Sequence, residues 1–409
     1  MIGFQPQKQQ LDAYSQKIWD VIVIGAGPAG SLCANLLADR GLAVLLVESK
    51  AFPRDKVCGG CLNRTALAVL DECGLTTLLH DIEAVPLKSI RLTCRRRSAN
   101  WALPETVVVD RARFDQALAN AAITSGATFL TEATAEIVGD VCRNATPQGE
   151  SLREVRLKRK SESAVAQARL VVCATGLASS CLRRLPEFGS HVAAASRIGM
   201  GAVVADTTSN FPAGTLTMAV DTSGYVGVAR LADGRLNMAA AVDARQLALA
   251  SEPAELIGSV LRNCGFPVPE AVPHACWNGT PALTRSSSRV ATERVLLIGD
   301  AAGYVEPFTG EGMGWGLLSA FLVAPLVVRA AHLWDEDVAV EWEQSLNGKV
   351  LREQWMCRLL SGILRRPQLT GGLLTVLRHL PRLRERLLTS IGRSPLTASS
   401  RRWSTRTLG

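Results

Sequence analysis

The stretch Trp19-Asp20-Val21-Ile22-Val23-Ile24-Gly25-Ala26-Gly27-Pro28-Ala29-Gly30, with Leu45-Leu46-Val47-Glu48-Ser49 after it, decides how this chain folds. Val21 to Ile24 is an apolar, β-branched run suited to a buried parallel strand. Gly25, Gly27 and Gly30 then allow a tight turn, a close approach of backbone to a pyrophosphate, and packing of helix on sheet; Pro28 and Ala29 lie in the same phosphate-facing turn. A helix is expected over 31–40, its free N–H groups and positive dipole end facing the phosphates, and Gly41 ends it. Glu48, 18 residues after Gly30, closes a second strand where a ribose hydroxyl needs an acceptor, with Ser49 beside it. Strand, turn, helix and terminal acid fall in register, so the segment reads as a dinucleotide-binding unit.

Further along, Val295 to Ile298 forms another buried-type strand that runs into Gly299 and Asp300. A loop with Pro307, Gly310, Glu311, Gly312 and Met313 then opens a helix through Leu317 to Val328. This pattern resembles the second FAD motif of the single-Rossmann flavoproteins, the class of aromatic hydroxylases, flavin halogenases and geranylgeranyl reductases. The resemblance implies FAD as cofactor, with Gly299 and Asp300 at its ribityl or pyrophosphate region. Pro307, Gly310, Gly312 and Met313 would lie along the flavin pyrimidine edge. Amides of Gly312 and Met313 at the helix start would stabilise the negative charge of reduced flavin.

Three more segments extend the resemblance over most of the first 330 residues. Asp110-Arg111-Ala112-Arg113-Phe114-Asp115, followed by Leu118, is similar to the class's D-R-x-x-F-D-x-x-L helix start, which places Arg111 near the cofactor. Ala174-Thr175-Gly176 stands where the hydroxylases carry Ala-Asp-Gly, so the exchange of Asp for Thr175 leaves NAD(P)H open as the electron donor. Phe52-Pro53-Arg54-Asp55-Lys56-Val57-Cys58-Gly59-Gly60-Cys61-Leu62 resembles the geranylgeranyl reductase family in particular and adds Lys56, Cys58 and Gly59 to the cofactor set. The substrate sheet departs from that family. Tyr225 and Asn237 align with its signature, but Gly227 replaces a Trp, and Ala229 and Arg230 replace Phe-Pro, so one pocket wall is rebuilt.

Cys58, Tyr225 and Glu311 are the candidate catalytic residues, with Tyr225 on the substrate side and Glu311 near the ring. Cys58 and Cys61 form a CxxC that could relay electrons by thiol–disulfide exchange, although Cys61 replaces a glycine of the family. No metal is expected, because no second Cys or His pair follows at ligand spacing. The five histidines fall outside the flavin loops.

The expected fold is α/β: a Rossmann-type FAD-binding domain (19–85, 105–180 and 286–330) interleaved with an antiparallel-sheet substrate domain (86–104 and 181–285). A polar lead-in over 1–18 is expected to be disordered, and a basic helical segment fills 331–409. At 409 residues and 47% apolar, the chain can bury a large core. Its eleven scattered cysteines suggest a reduced, cytoplasmic setting. No stretch reads as a membrane span. From Leu351 onward the chain holds 12 Arg and 2 Glu, a net of +10 against +8 for the whole. Two basic amphipathic helices separated at Pro367 and Gly371-Gly372 are expected there. They either pack on the catalytic domain or take the chain to the periphery of an anionic membrane, an acidic carrier protein or an electron-donor protein. Nucleic acid is not expected, since aromatics do not interleave with the basic residues.

These readings converge on an FAD-dependent oxidoreductase that moves a hydride between flavin and a small apolar molecule, alkene-bearing, isoprenoid-like or polyketide-like. The nearest alternative is a flavin-dependent monooxygenase working through a C4a-hydroperoxide, as a hydroxylase rather than a halogenase. A non-catalytic flavoprotein or membrane-docked binding module is the alternative of another class.

Overall fold

The computed structural model describes residues 10–380, 382 and 384, apart from 96, 147, 148 and 309. Its central sheet runs Ala291–Thr292, Val295–Leu297, Glu162–Cys173, Ile18–Ile24, Val44–Val47, Thr128–Leu130. All neighbours from Val295–Leu297 to Thr128–Leu130 pair in parallel. Val21 to Val23 are fully buried, as residues of a central strand covered on both faces must be. The covering helices are Pro28–Ala38, Arg111–Thr124 and the 22-residue Glu311–His332.

A seven-stranded sheet stands beside this layer, in the order Asn278–Ala282, Ile198–Val204, Leu236–Val242, Gly224–Arg230, Thr215–Asp221, Ser89–Cys94, Arg97–Ala102. Its strands lie within 86–104 and 181–285. The alternation of strand side chains splits it into two faces. Val226, Val228, Leu236 and Met238 pack beneath the helix Pro253–Asn263, while Tyr225, Ala229, Leu216 and Met218 point to the opposite side, toward the cofactor layer. Register pairs Tyr225 with Ala241 and Gly227 with Ala239, which leaves a patch of small side chains on that second face.

Two expectations need correction. The lead-in is ordered from residue 10 onward. Leu11–Tyr14 forms a 3-10 turn whose Leu11 and Tyr14 are buried, and the Trp19 indole N–H donates to the Tyr14 carbonyl at 2.9 Å. Two apolar residues on one turn are too few to register as a periodic pattern; residues 1–9 lie outside the described residues. The C-terminal helices are Gln354–Leu364 and Pro367–His379, so Pro367 starts the second, but Gly371 and Gly372 sit inside it and do not break it. The Arg97 guanidinium donates to the Gly371 carbonyl at 2.8 Å, and Leu374 and Leu377 are buried beside it, so tertiary packing overrides the poor helix propensity of the glycine pair.

The helix Glu311–His332 is long and apolar enough to cross a membrane by length and composition, but 72% of its most apolar window is buried inside the fold.

Candidate functional site

Each glycine of the first turn meets different surroundings. Gly25 has φ +103°, and a β-carbon there would lie 2.4 Å from the Ala174 carbonyl oxygen. A β-carbon on Gly30 would lie 1.8 Å from the Gly25 oxygen, so this position is closed by backbone. A β-carbon on Gly27 would have only the Arg54 guanidinium for a neighbour, at 3.8 Å. It would project into a cleft of about 430 Å³, walled by this turn, Glu48, Arg54, Lys56, Arg111 and Asp300. The first-turn N–H groups of Pro28–Ala38 have no side-chain cap, which leaves donors for an anion.

The acid at the end of the second strand is anchored at both oxygens. Glu48 Oε2 accepts from the Ala26 N–H at 3.1 Å and from Arg54 at 3.3 Å, and Oε1 accepts from the Lys50 N–H at 3.0 Å and the Ser49 hydroxyl at 3.1 Å. Burial pushes this carboxyl up, yet Arg54 and the two backbone N–H groups outweigh it and hold Glu48 below its usual range. Arg54 also lies 3.1 Å from Asp115, which is fully buried and bound bidentately by Arg111 at 3.0 Å on each oxygen. Arg54 Nε is buried without a hydrogen-bond partner among the described residues. A cation held that way in a cleft wall is suited to an anionic guest.

Next to the first glycine turn, Gly299 and Asp300 form a 3-10 turn, in which a β-carbon on Gly299 would lie 3.1 Å from Ala29 Cβ. Burial raises the Asp300 carboxyl to about 6, against the opposing pull of Lys56 and Arg111. Burial lowers Lys56, with help from the two arginines. The helix Glu311–His332 starts beyond at Gly310, φ +89°. Its glycines are tailored to side chains of the same chain. A β-carbon would come within 2.5 Å of Cys61 Cβ at Gly310, 2.9 Å of the Tyr304 ring at Gly312 and 2.5 Å of the Asn63 side-chain Oδ1 at Gly314.

A second cavity of about 110 Å³ adjoins the cleft and shares Val57, Cys58, Gly59, Tyr304, Pro307 and Gly310 with it. Its other walls are largely apolar, among them Leu216, Met218, Gly227, Ala239 and Leu283. The Tyr225 hydroxyl donates to the Pro307 carbonyl at 2.6 Å, and its ring meets Phe308 edge-on at 5.3 Å. The Asn237 amide donates to the Cys58 carbonyl at 3.1 Å, tying the two loops that flank the junction to the sheet.

The model of the FAD binding domain matches residues 19–328, three quarters of the sequence. The chain belongs to that family. This FAD-binding protein is 25% identical to conditioned medium factor receptor 1 of Dictyostelium discoideum over 84% of its own length and 68% of the relative's. It is 28% identical to menaquinone reductase of Mycobacterium tuberculosis (strain H37Rv; 77% and 78%), and 26% identical to digeranylgeranylglycerophospholipid reductase of Methanosarcina acetivorans (82% and 81%). Among solved structures, a flavin-dependent brominase superposes with a TM-score of 0.74 at 17% identity, covering 94% of this chain and 98% of that one. A geranylgeranyl bacteriochlorophyll reductase-like protein of Thermoplasma acidophilum does so with 0.72 at 16%, covering 95% and 96%. The cleft fits the cofactor the family is named for: Gly27 is open where phosphate must approach, the helix start is uncapped, Arg54 has a donor to spare, and the volume is that of a ligand pocket.

The cleft of this FAD-binding protein brings together Gly25, Gly27, Pro28, Ala29, Glu48, Ser49, Lys56, Cys58, Gly59, Arg111, Gly299, Asp300, Pro307, Gly310, Gly312 and Met313. Gly30 lies behind its wall as a packing position. The three catalytic candidates separate. Cys58 lines both cavities, and Tyr225 lines the apolar one with its proton engaged by Pro307. Glu311 is buried and lines neither. Cys61 is buried under Gly310, and burial pushes its thiol up to about 12, with Cys58 and Glu311 adding to the shift, which suits packing rather than electron relay. Among the described residues no cluster is suited to a metal ion.

Sequence reading assigned no role to Arg54, Asp115 or Tyr304. Asp115 was legible as the i+4 partner of Arg111 on one helix face. Tyr304 carried no local signal; its place at the junction follows from the pairing of Gly303–Tyr304 with the strand Arg285–Ser287.

Proposed function

We propose that this FAD-binding protein is a flavin-dependent reductase that transfers a hydride between flavin and an apolar small molecule, alkene-bearing and isoprenoid-like or polyketide-like. The observation that carries this reading is the apolar cavity that opens onto the cofactor cleft at Cys58, Gly59 and Pro307, with no Asp, Glu, His, Lys or Arg among its described wall residues. Bound flavin supplies the hydride chemistry itself. The chain's own residues bind, orient and exclude water. The Pro28–Ala38 helix start and Arg54 would hold the phosphates, Glu48 would accept from the ribose, and Lys56 with Asp300 would hold the linker between them. The uncapped start of Glu311–His332, at Gly312 and Met313, would stabilise charge at the ring edge. Asn237 and Tyr225 fix the Cys58 and Pro307 loops, which would flank the ring, from the sheet side.

Tyr304 is better placed than Tyr225 to supply a proton to substrate carbon. It lines both cavities, and burial raises its phenol well above the ordinary value, so Oη holds its proton at the junction. The names of the reductase relatives support the reaction class, and the apolar wall supports the substrate class. NADPH, NADH or a donor protein supplies the electrons in this reading.

The test is anaerobic. Flavin-loaded protein is reduced with NADPH, NADH or dithionite and mixed with a polyprenyl alkene or an isoprenoid quinone. Reoxidation of the flavin without oxygen, with a product heavier by two hydrogens, is the expected result. Product that forms only after oxygen is admitted, and that contains an oxygen atom from it, would move the assignment to a monooxygenase. Bound FAD that no apolar acceptor reoxidises would favour a non-catalytic flavoprotein.

A further inference from the structure

The helices Gln354–Leu364 and Pro367–His379 bury one face each and leave the other uncovered. Leu364, Leu374 and Leu377 join the apolar cluster of Leu216, Met218 and Tyr225, which is also the wall of the apolar cavity. On the outer side, apolar side chains recur at helical spacing: Trp355 and Leu359 on the first helix, Leu369 and Val376 on the second, and Leu380 just past its end. All five are 45–54% exposed. Arg352, Arg358 and Arg366 are exposed beside them, and Arg378 is exposed at the end of the second helix. Between residues 352 and 384 the one acidic residue is Glu353, and it is turned inward against Trp315. Five of the twelve large exposed apolar side chains among the described residues therefore fall within 26 positions that hold four arginines and no acid, a concentration that scattered surface residues do not show.

We propose that this helix pair is a docking surface for an anionic lipid bilayer. The charge pattern selects the occupant: Arg352 and Arg358 flank the first apolar stripe, Arg366 opens the second, and no exposed acid stands among them, which matches an interface where apolar side chains enter the acyl boundary and cations stay among anionic headgroups. A folded protein with an acidic surface would engage the arginines and leave Trp355, Leu359, Val376 and Leu380 in water. The contact is with the surface only, since the long apolar helix Glu311–His332 is mostly inside the fold. Docking sets the wall of the apolar cavity one helix layer from the lipid. The inference stands on exposure and charge, independently of the reaction proposed above.

The experiment is co-sedimentation of the full-length, flavin-loaded protein with vesicles of phosphatidylcholine, with or without phosphatidylglycerol. The expected result is binding to the anionic vesicles, little to the neutral ones, and release by added salt. Trp355→Glu with Leu359→Glu, and separately Val376→Glu with Leu380→Glu, should each lower the bound fraction about tenfold. Leu249→Glu, at an exposed apolar residue elsewhere, should not change it. An unchanged flavin spectrum shows that a variant is folded. A second measurement needs no charged variant: brominated phosphatidylglycerol should quench tryptophan fluorescence, and Trp355→Phe should remove the quenched component. The proposal is overturned by the absence of anionic binding, by stripe variants that sediment like Leu249→Glu, by quenching that survives Trp355→Phe, or by a solution dimer that both stripe variants split, which would give the stripes to a second copy of the chain.

Discussion

Two glycine-rich helix starts line the cofactor cleft, and they use glycine for different reasons. In the first, Gly25 and Gly30 are closed by backbone atoms of their own turn and of the adjoining strand, and Gly27 is open toward the ligand. In the second, Gly310, Gly312 and Gly314 make room for Cys61, Tyr304 and Asn63 of the same chain. The first start is therefore a site whose shape is fixed by backbone alone. The second is the meeting point of three segments, and its shape depends on residues far away in sequence.

The largest effect that would test this contrast is at Gly30. Gly30→Ala places a β-carbon inside backbone contact distance and should cost more than about 4 kcal/mol, enough to prevent folding; a folded protein by thermal unfolding would break the claim that this turn is closed. Gly27→Val should instead leave stability within about 0.5 kcal/mol and reduce flavin affinity about 100-fold, roughly 3 kcal/mol, by filling the phosphate approach. Titration of apoprotein with FAD measures it, and a normally yellow preparation would sink the assignment.

The second helix start yields a pH test through Glu353, which the C-terminal helix lays against Trp315. Burial raises this carboxyl from 4.5 to about 7, and the Trp315 indole only partly opposes the shift. The folded state thus holds a proton that the unfolded chain gives up first, so its stability contribution is complete below pH 4.5 and is lost as pH rises through about 7. Wild-type protein should lose on the order of 2 kcal/mol across that window relative to Glu353→Gln. Denaturant unfolding at both ends decides it, and parallel slopes for the two proteins would show that the carboxyl is not held neutral.

Gly312→Ala should cost about 1–2 kcal/mol, because its β-carbon meets the Tyr304 ring. In a Tyr304→Leu background the same change should cost almost nothing, and additive costs would show that the two do not couple. The smallest effect is at the CxxC. Cys61→Ser should leave the rate of flavin reduction unchanged, whereas equal losses from Cys58→Ser and Cys61→Ser in a stopped-flow trace would reinstate a dithiol relay.

The first helix start was legible in the sequence because its logic is local: an apolar strand, three glycines and an acid at a fixed spacing. The meander of the substrate sheet was legible for the same reason, through alternating side chains and the Asp233-Gly234 turn. Glu311 shows where local reading ends, since a conspicuous acid in a flavin loop is buried away from both cavities. Tyr304 reaches the junction through strand pairing that no spacing announces. Gly371 and Gly372 looked like a helix break, but Arg97 from a strand about 270 residues earlier holds one of them in place. The ordered turn at Leu11–Tyr14 was hidden because its two apolar residues are anchored by a strand that ends at Cys173.

The position of Ile18–Ile24 in the middle of the parallel sheet has a consequence for how the molecule is made. One neighbour, Val44–Val47, is synthesised soon after it; the other, Glu162–Cys173, follows about 140 residues later, and the strand beyond that, Val295–Leu297, later still. A nascent chain therefore carries a half-formed phosphate turn through most of its translation, and the loop that completes the cleft arrives with the long apolar helix Glu311–His332. High contact order of this kind makes folding slow and leaves that helix vulnerable to misassociation until the sheet closes. Flavin availability at that moment would raise the yield of native protein by mass action, since a ligand that binds only the closed cleft draws the late intermediates toward it.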